Sequence, residues 1–170
     1  MDAMKNLLER RSIRKYQETQ VPDELLDQIL EAGLYAPTGM NRQNVIMVAV
    51  RDKETRDRMM RINAAVMGSQ NDPFYGAPCV IVVLGDPENY PVVENGSLVL
   101  GNLMNAAHAL GLGSCWIHRA KQTFETEEGK ELLRAWGLKD TLVGIGNCIL
   151  GYPDEDPVPR PRLEGRIVRI

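Results

Sequence analysis

Apolar residues recur at helical spacing near the start of the chain and run together in strands further on. Met4, Leu7 and Leu8 mark an amphipathic helix over Asp2–Arg10. Val21-Pro22-Asp23-Glu24 starts a second, with proline near the first turn and carboxylates at the positive end of the dipole. Its stripe is Leu25, Leu26, Ile29, Leu30 and Leu34, and it stops near Tyr35, before Pro37. Pro37–Asn41 reads as a loop in which Gly39 can take positive φ. Asn44–Arg51 is a Val-rich strand, followed over Asp52–Met67 by a charged helix with Met59, Ile62, Ala65 and Val66 inside.

Gly76-Ala77-Pro78 breaks the chain before Cys79–Leu84, an unbroken apolar run that predicts a strand buried on both faces. Pro91–Leu110 predicts the longest helix, apolar nearly all round and so covered on several sides, with Gly111 as its C′ cap. Its small residues Gly101, Ala106 and Ala107 suit close helix approach in the core or at a subunit interface. Gly113–Ile117 is a short strand or turn, Thr126–Trp136 a helix, and Val143–Leu150 a strand interrupted by Gly144 and Gly146. Pro153, Pro157, Pro159 and Pro161 make the tail extended and irregular, with a candidate edge strand at Arg166–Ile170. There is no internal repeat.

The 170 residues fit one domain, residues 1–170, long enough to bury roughly 68–70% of its unfolded surface. Three cysteines, Cys79, Cys115 and Cys148, are odd in number and sit in apolar surroundings, as buried thiols in a reducing compartment do. No apolar run approaches the roughly 20 residues that span a bilayer. Arg10-Arg11 lacks the apolar region of a twin-arginine signal, so the expectation is a mature, cytoplasmic, soluble protein. A formal charge of −3 argues against a nucleic-acid partner.

The arginines are nevertheless crowded. Arg10, Arg11 and Arg14 flank Ser12, and Arg160 and Arg162 stand near the other end. Guanidinium forks match phosphate oxygens two at a time, so a phosphorylated ligand is one reading of this pattern. A solvated basic helix end is the other. Neither Gly111-Leu112-Gly113 nor Gly144-Ile145-Gly146 completes a dinucleotide fingerprint, and no phosphate loop or nucleophile elbow occurs. Cys115 and His118 have the spacing of half a zinc site without a second half, so no metal is assigned.

Five stretches in order carry a resemblance: RRSIRKY at 10–16, APTGMNRQ at 36–43, GAP at 76–78, GLGSCWI at 111–117, and GYP at 151–153 followed by PRPR at 159–162. Together they resemble the FMN-dependent nitroreductase family over essentially the whole chain. The resemblance implies an α+β fold with a mainly antiparallel sheet flanked by helices. It also implies an intertwined homodimer with FMN at the subunit interface and a C-terminal extension onto the partner. Arg10, Arg11, Ser12 and Arg14 would then hold FMN from one subunit, with Arg14 near the pyrimidine edge, and Pro37, Thr38, Gly39 and Asn41 from the other. Trp116, Ile117 and His118 resemble the segment beside flavin N5, Arg160 and Arg162 the C-terminal phosphate ligands, and Gln70, beside Asn71, the side-chain amide on the ring.

The implied activity is ping-pong oxidation of NADH or NADPH with reduction of a nitroaromatic, quinone or similar small acceptor, and no protein group is assigned as a catalytic acid. A flavin-binding or redox-sensing protein with little turnover is the alternative. Two departures stand out. The chain is short between Lys53 and Phe74 and after Pro87, where the family often covers its site, and His118-Arg119 stands where small residues are common.

Overall fold

The computed structural model describes residues 2–170. Four strands, β1 (Val45–Val50), β2 (Cys79–Gly85), β3 (Gly113–Ile117) and β4 (Val143–Gly151), form one sheet in the order β1-β2-β4-β3, with every neighbouring pair antiparallel. The helices are α1 (Ala3–Glu9), α2 (Asp23–Leu34), α3 (Lys53–Met67), α4 (Val92–Ala109), α5 (Ala120–Glu125) and α6 (Glu127–Ala135).

Strand β2 explains the layering. Its side chains alternate between faces, and every residue from Cys79 to Gly85 is buried. Val80, Val82 and Leu84 join Met59 and Ile62 of α3, Phe124 of α5 and Leu132 and Leu133 of α6 in one core. Cys79, Ile81 and Val83 join Leu26 and Ile29 of α2 and Val99, Leu100, Leu103 and Ala107 of α4 in the other. The continuous apolar run is therefore a central strand between two helical layers, each buried Val, Leu or Ile contributing about 1.5–3 kcal/mol. A bulge where Val83 pairs with Gly146 and Leu84 with Gly144 explains the glycines that interrupt β4.

Local chemistry sets the helix ends. The Asp52 carboxylate accepts the Thr55 N–H at 2.8 Å to start α3, and Gly68, left-handed at φ 67°, ends it. The three thiols are free and buried, and burial pushes the Cys79 pKa up to about 12. No helix of the described residues is long and apolar enough to cross a membrane.

The helix expected at Thr126–Trp136 is α6, capped by Thr126 through a 3.0 Å bond from the Gly129 N–H, and a short helix that the pattern did not mark, α5, only six residues and so without a periodic stripe, precedes it. Three expectations need correction. On α3 the buried set is Met59, Ile62, Asn63 and Ala64, while Ala65 is exposed. Positive φ in the 37–43 loop falls on Met40, Asn41 and Gln43 rather than Gly39. Arg166–Ile170 pairs with no strand and is exposed throughout, following a stretch in which Pro157, Pro159 and Pro161 remove ladder donors and carry the tail off the sheet. Along α4, Val93 and Leu98 remain exposed, so one chain covers only part of that helix.

Candidate functional site

The arginine cluster leaves α1 and runs in extended form along the open edge of β3. Ser12 makes a parallel bridge with Ser114, and the Ile13 N–H donates to the Ser114 carbonyl at 3.0 Å. Ile13 is buried where Gly113 leaves room, since a Cβ on Gly113 would stand 2.9 Å from Ile13 Cβ. Alternation then puts Ser12 and Arg14 on the opposite side from Arg11 and Ile13. Arg11 turns its Nη1 back onto the Leu8 and Arg10 carbonyls at 2.7 and 2.8 Å. Arg10 Nη1, Arg11 Nε and Ser114 Oγ are buried without a hydrogen-bond partner among the described residues. Three unpartnered polar atoms on one sheet edge are an unmet demand of the kind a bound group satisfies.

Arg14 lies at a cleft of about 340 Å³ with Trp116, Ile117, His118 and Arg119 of the β3–α5 junction, Asn63 and Met67 of α3, and Asn71 to Pro73 and Tyr75 of the following loop. Its guanidinium stands 5.9 Å from the centre of the Tyr75 ring, and the Trp116 and His118 rings meet edge to face at 5.8 Å.

The walls are held from behind. Asn63 is fully buried and donates its side-chain N–H to the His118 carbonyl at 3.0 Å. The Asp72 carboxylate takes the Phe74 N–H at 2.7 Å on one oxygen, and the Gly76 N–H at 2.8 Å and Arg56 Nη2 at 2.9 Å on the other. Phe74, 1% exposed, anchors that loop in the core. The cleft is thus rigid before any ligand arrives.

With this geometry, the model of the nitroreductase family matches residues 7–152. The chain belongs to the nitroreductase family. It is 40% identical to an NADH dehydrogenase of Thermus thermophilus, the match spanning 96% of this chain and 92% of that protein. It is 26% identical to an FMN reductase [NAD(P)H] of Bacillus subtilis, over 95% of this chain and 70% of that one. The crystal structure of a nitroreductase with bound FMN from Bacteroides fragilis superposes with a TM-score of 0.90 at 26% identity, covering 100% of this chain and 99% of that one.

Seen on this nitroreductase fold, the expected residues fall into three places. Arg14, Trp116, Ile117 and His118 share the cleft, with Arg10, Arg11 and Ser12 along the edge leading to it. Pro37, Thr38, Gly39 and Asn41 lie beside β1, at the other end of the sheet, where the Gly39 N–H donates to Asn95 Oδ1 and the Gln43 N–H to Thr38 Oγ1. Arg160 and Arg162 are exposed on the tail. Asn71 lines the cleft, and Gln70, exposed, does not.

Two contributors went unread in the sequence, Asn63 and Asp72, and Arg119 stood out only as a departure from the family's small residues. Asn63 had a signal, a lone amide next to Ile62 on the inner face of α3. Asp72 before Pro73 carried a turn signal.

Proposed function

We propose that the chain is an FMN-dependent oxidoreductase that uses NADH or NADPH to reduce small acceptors such as nitroaromatics or quinones, and that it works as a homodimer. The observation that carries this reading is the cleft of Arg14, Asn71 and Trp116–His118, with the unpartnered donors of Arg10 and Arg11 on the same sheet edge. Relatives named for NADH, NAD(P)H and FMN support it.

The residues present fit a flavin mononucleotide. Buried guanidinium nitrogens without acceptors suit a phosphate, and the neutral amides of the 37–43 loop suit a polar heterocycle edge. Arg10, Arg11, Ser12 and Arg14 would hold it from one subunit, Pro37, Thr38, Gly39 and Asn41 from the partner, and Arg160 and Arg162 from the tail. Gln70 or Asn71 would supply the amide, and Trp116, Ile117 and His118 the wall. When bound, the flavin supplies two-electron acceptance from a reduced nicotinamide and donation to an acceptor.

The chain's own residues bind, orient and neutralise. Arg14 places positive charge at the cleft, which favours anionic character in whatever ring lies against it. Asn63 fixes the His118 carbonyl, and Asp72 fixes the facing loop, so the cleft width is set by the protein. Nicotinamide and acceptor use this cleft in turn, the ping-pong order. The balance is simple: NAD(P)H gives up a hydride, solvent supplies a proton, and a quinone leaves as hydroquinone. No side chain is needed as an acid.

Position supports the dimer. The residues proposed for one site lie at opposite edges of the sheet. Met4, Leu7 and Leu8 of α1, Val93 and Leu98 of α4, and Leu163, Ile167 and Val168 of the tail are exposed together with them. That is more apolar surface than a lone chain leaves open. A reducing, cytoplasmic setting belongs to the same reading and fits the three free thiols.

The test is the visible spectrum of the purified protein before and after anaerobic addition of NADH or NADPH, then of a quinone, with the released chromophore identified. Bound FMN that bleaches with the nicotinamide and recovers with the quinone is expected. Absence of flavin after incubation with FMN would overturn the proposal. Bound FMN that never bleaches would leave a flavin-binding or redox-sensing protein.

A further inference from the structure

The β3–α5 turn carries a residue that the proposed chemistry does not use. Arg119 lines the cleft and makes no salt bridge or side-chain hydrogen bond among the described residues. Arg51, Arg56, Arg58 and Arg134 meet carboxylates, whereas Arg119, like Arg14 beside it in the cleft, does not. The one acidic residue of the cleft cannot serve Arg119, because Asp72 spends both oxygens on Phe74, Gly76 and Arg56. Among the residues lining the cleft, Arg14 and Arg119 are cationic and Asp72 is committed, while the Glu155 carboxylate outside the lining takes the Arg14 backbone N–H, so the lining carries positive charge on a chain of net charge −3. Local positive charge on an acidic molecule concentrates anions at that spot.

The backbone adds a second observation. Arg119 holds φ 73° and ψ 14°, a left-handed conformation that glycine adopts freely and a residue with a Cβ adopts at a cost. Asn63 and α5 hold the turn on either side of it, through the His118 carbonyl and through the Thr123 N–H on the Arg119 carbonyl at 2.9 Å. A guanidinium is therefore kept at the cleft at a position whose backbone favours glycine, as strained residues at binding sites are.

We propose that Arg119 is a specificity residue that binds an oxyanion, carboxylate or phosphate, on the substrate entering this cleft. The proposal rests on the reading of the cleft as the substrate site. Two substrates could bring the anion: an acidic acceptor carrying a carboxylate, or the donor carrying the extra phosphate of NADPH. The chemistry recognised is the same, a planar fork of donors against paired oxygens.

The test is calorimetric titration of the FMN-incubated full chain, wild type, Arg119→Gly and Arg119→Lys, with four probes: 4-nitrobenzoate, 4-nitrobenzamide, NADP+ and NAD+. Arg119→Gly removes the charge and relaxes the backbone, so it keeps the fold. The expected result is that preference for one charged probe over its neutral counterpart falls about tenfold or more in Arg119→Gly, with Arg119→Lys in between. A loss confined to the nitrobenzoate pair assigns the anion to the acceptor, and one confined to the NADP+ pair assigns it to the donor. Equal losses for charged and neutral probes, no loss, or no discrimination by the wild type would overturn the proposal. Because binding is read directly, the proposed oxidoreductase activity can fail in the spectral test while Arg119 discrimination survives, and the reverse.

Discussion

The two edges of the sheet carry opposite chemistry. At the β3 edge stand arginines, an unpartnered serine hydroxyl and a cleft braced by Asn63 and Asp72. At the β1 edge the hydrogen-bonded groups are neutral: Thr38, Asn41, Gln43, Asn44 and Asn95 bond to one another and to Gly39, and the loop's one charged residue, Arg42, is exposed. In the order β1-β2-β4-β3 three strand spacings separate the edges, about 14 Å. One edge supplies charge and rigidity, the other shape and amides. A polar planar cofactor needs both, and in the proposed dimer each site takes one edge from each chain.

If the β3 edge is the rigid one, a methyl group placed beneath it should cost far more than one placed under the other. A Cβ on Gly144 would stand 2.4 Å from the carbonyl carbon and oxygen of Ala120, which are backbone atoms that begin α5 and cannot give. A Cβ on Gly39 would meet the side-chain Cδ of Pro91 at 2.7 Å, beside a loop that can shift. Gly144→Ala should lose at least about 3 kcal/mol or fail to fold, and Gly39→Ala about 1 kcal/mol, by urea denaturation. Equal losses would mean that the two edges are equally stiff. Asp72→Ala comes next. It frees the part-buried Phe74 N–H, the exposed Gly76 N–H and one arm of Arg56, for an expected loss of about 2 kcal/mol, and it should also raise protease sensitivity at residues 68–76.

The sharing of sites between edges can be tested by mixing. Arg14→Ala and Asn41→Ala should each lower NAD(P)H oxidation about tenfold as pure proteins. After unfolding and refolding together, half of the dimers are mixed and each has one intact site, so about a quarter of wild-type activity should return. No recovery would place both residues in one chain's site.

Most of the elements were legible because their signals are local: the stripe of α2, the carboxylate that caps α3, the apolar run of β2. The resemblance carried the arginine cluster. The edges were not legible, because strand order depends on pairings between residues as distant as Cys79 and Leu150. The same holds for Asn63, whose partner lies 55 positions away, and for Arg119, whose backbone conformation is set by packing rather than by its own type. Gly39 was misread for a related reason: the space it leaves is for Pro91, while Met40 and Asn41 take the left-handed turn.

The smallest effect expected is a pH dependence confined to the β3 edge. His108, in the last turn of α4, has a buried Nε2 without a partner. Burial first, and then the nearby Arg10, lower its pKa below 6.5; Glu9 opposes them and Arg11 adds a smaller push in the same direction as Arg10. The folded state therefore holds fewer protons than the unfolded state in that window. Stability from this group is complete above pH 6.5 and is lost as the pH falls through the lowered value. The urea midpoint should drop between pH 7.5 and 5.5 in the wild type and drop less in His108→Gln, which cannot titrate. An anion bound at Arg10 would cancel part of the repulsion, so saturating FMN should also flatten the wild-type curve. The amides at the β1 edge have no protons to exchange in this range, and Asn95→Ala should change the midpoint without changing its slope against pH. A slope that changes in Asn95→Ala and not in His108→Gln would reverse the assignment of charge to one edge and shape to the other.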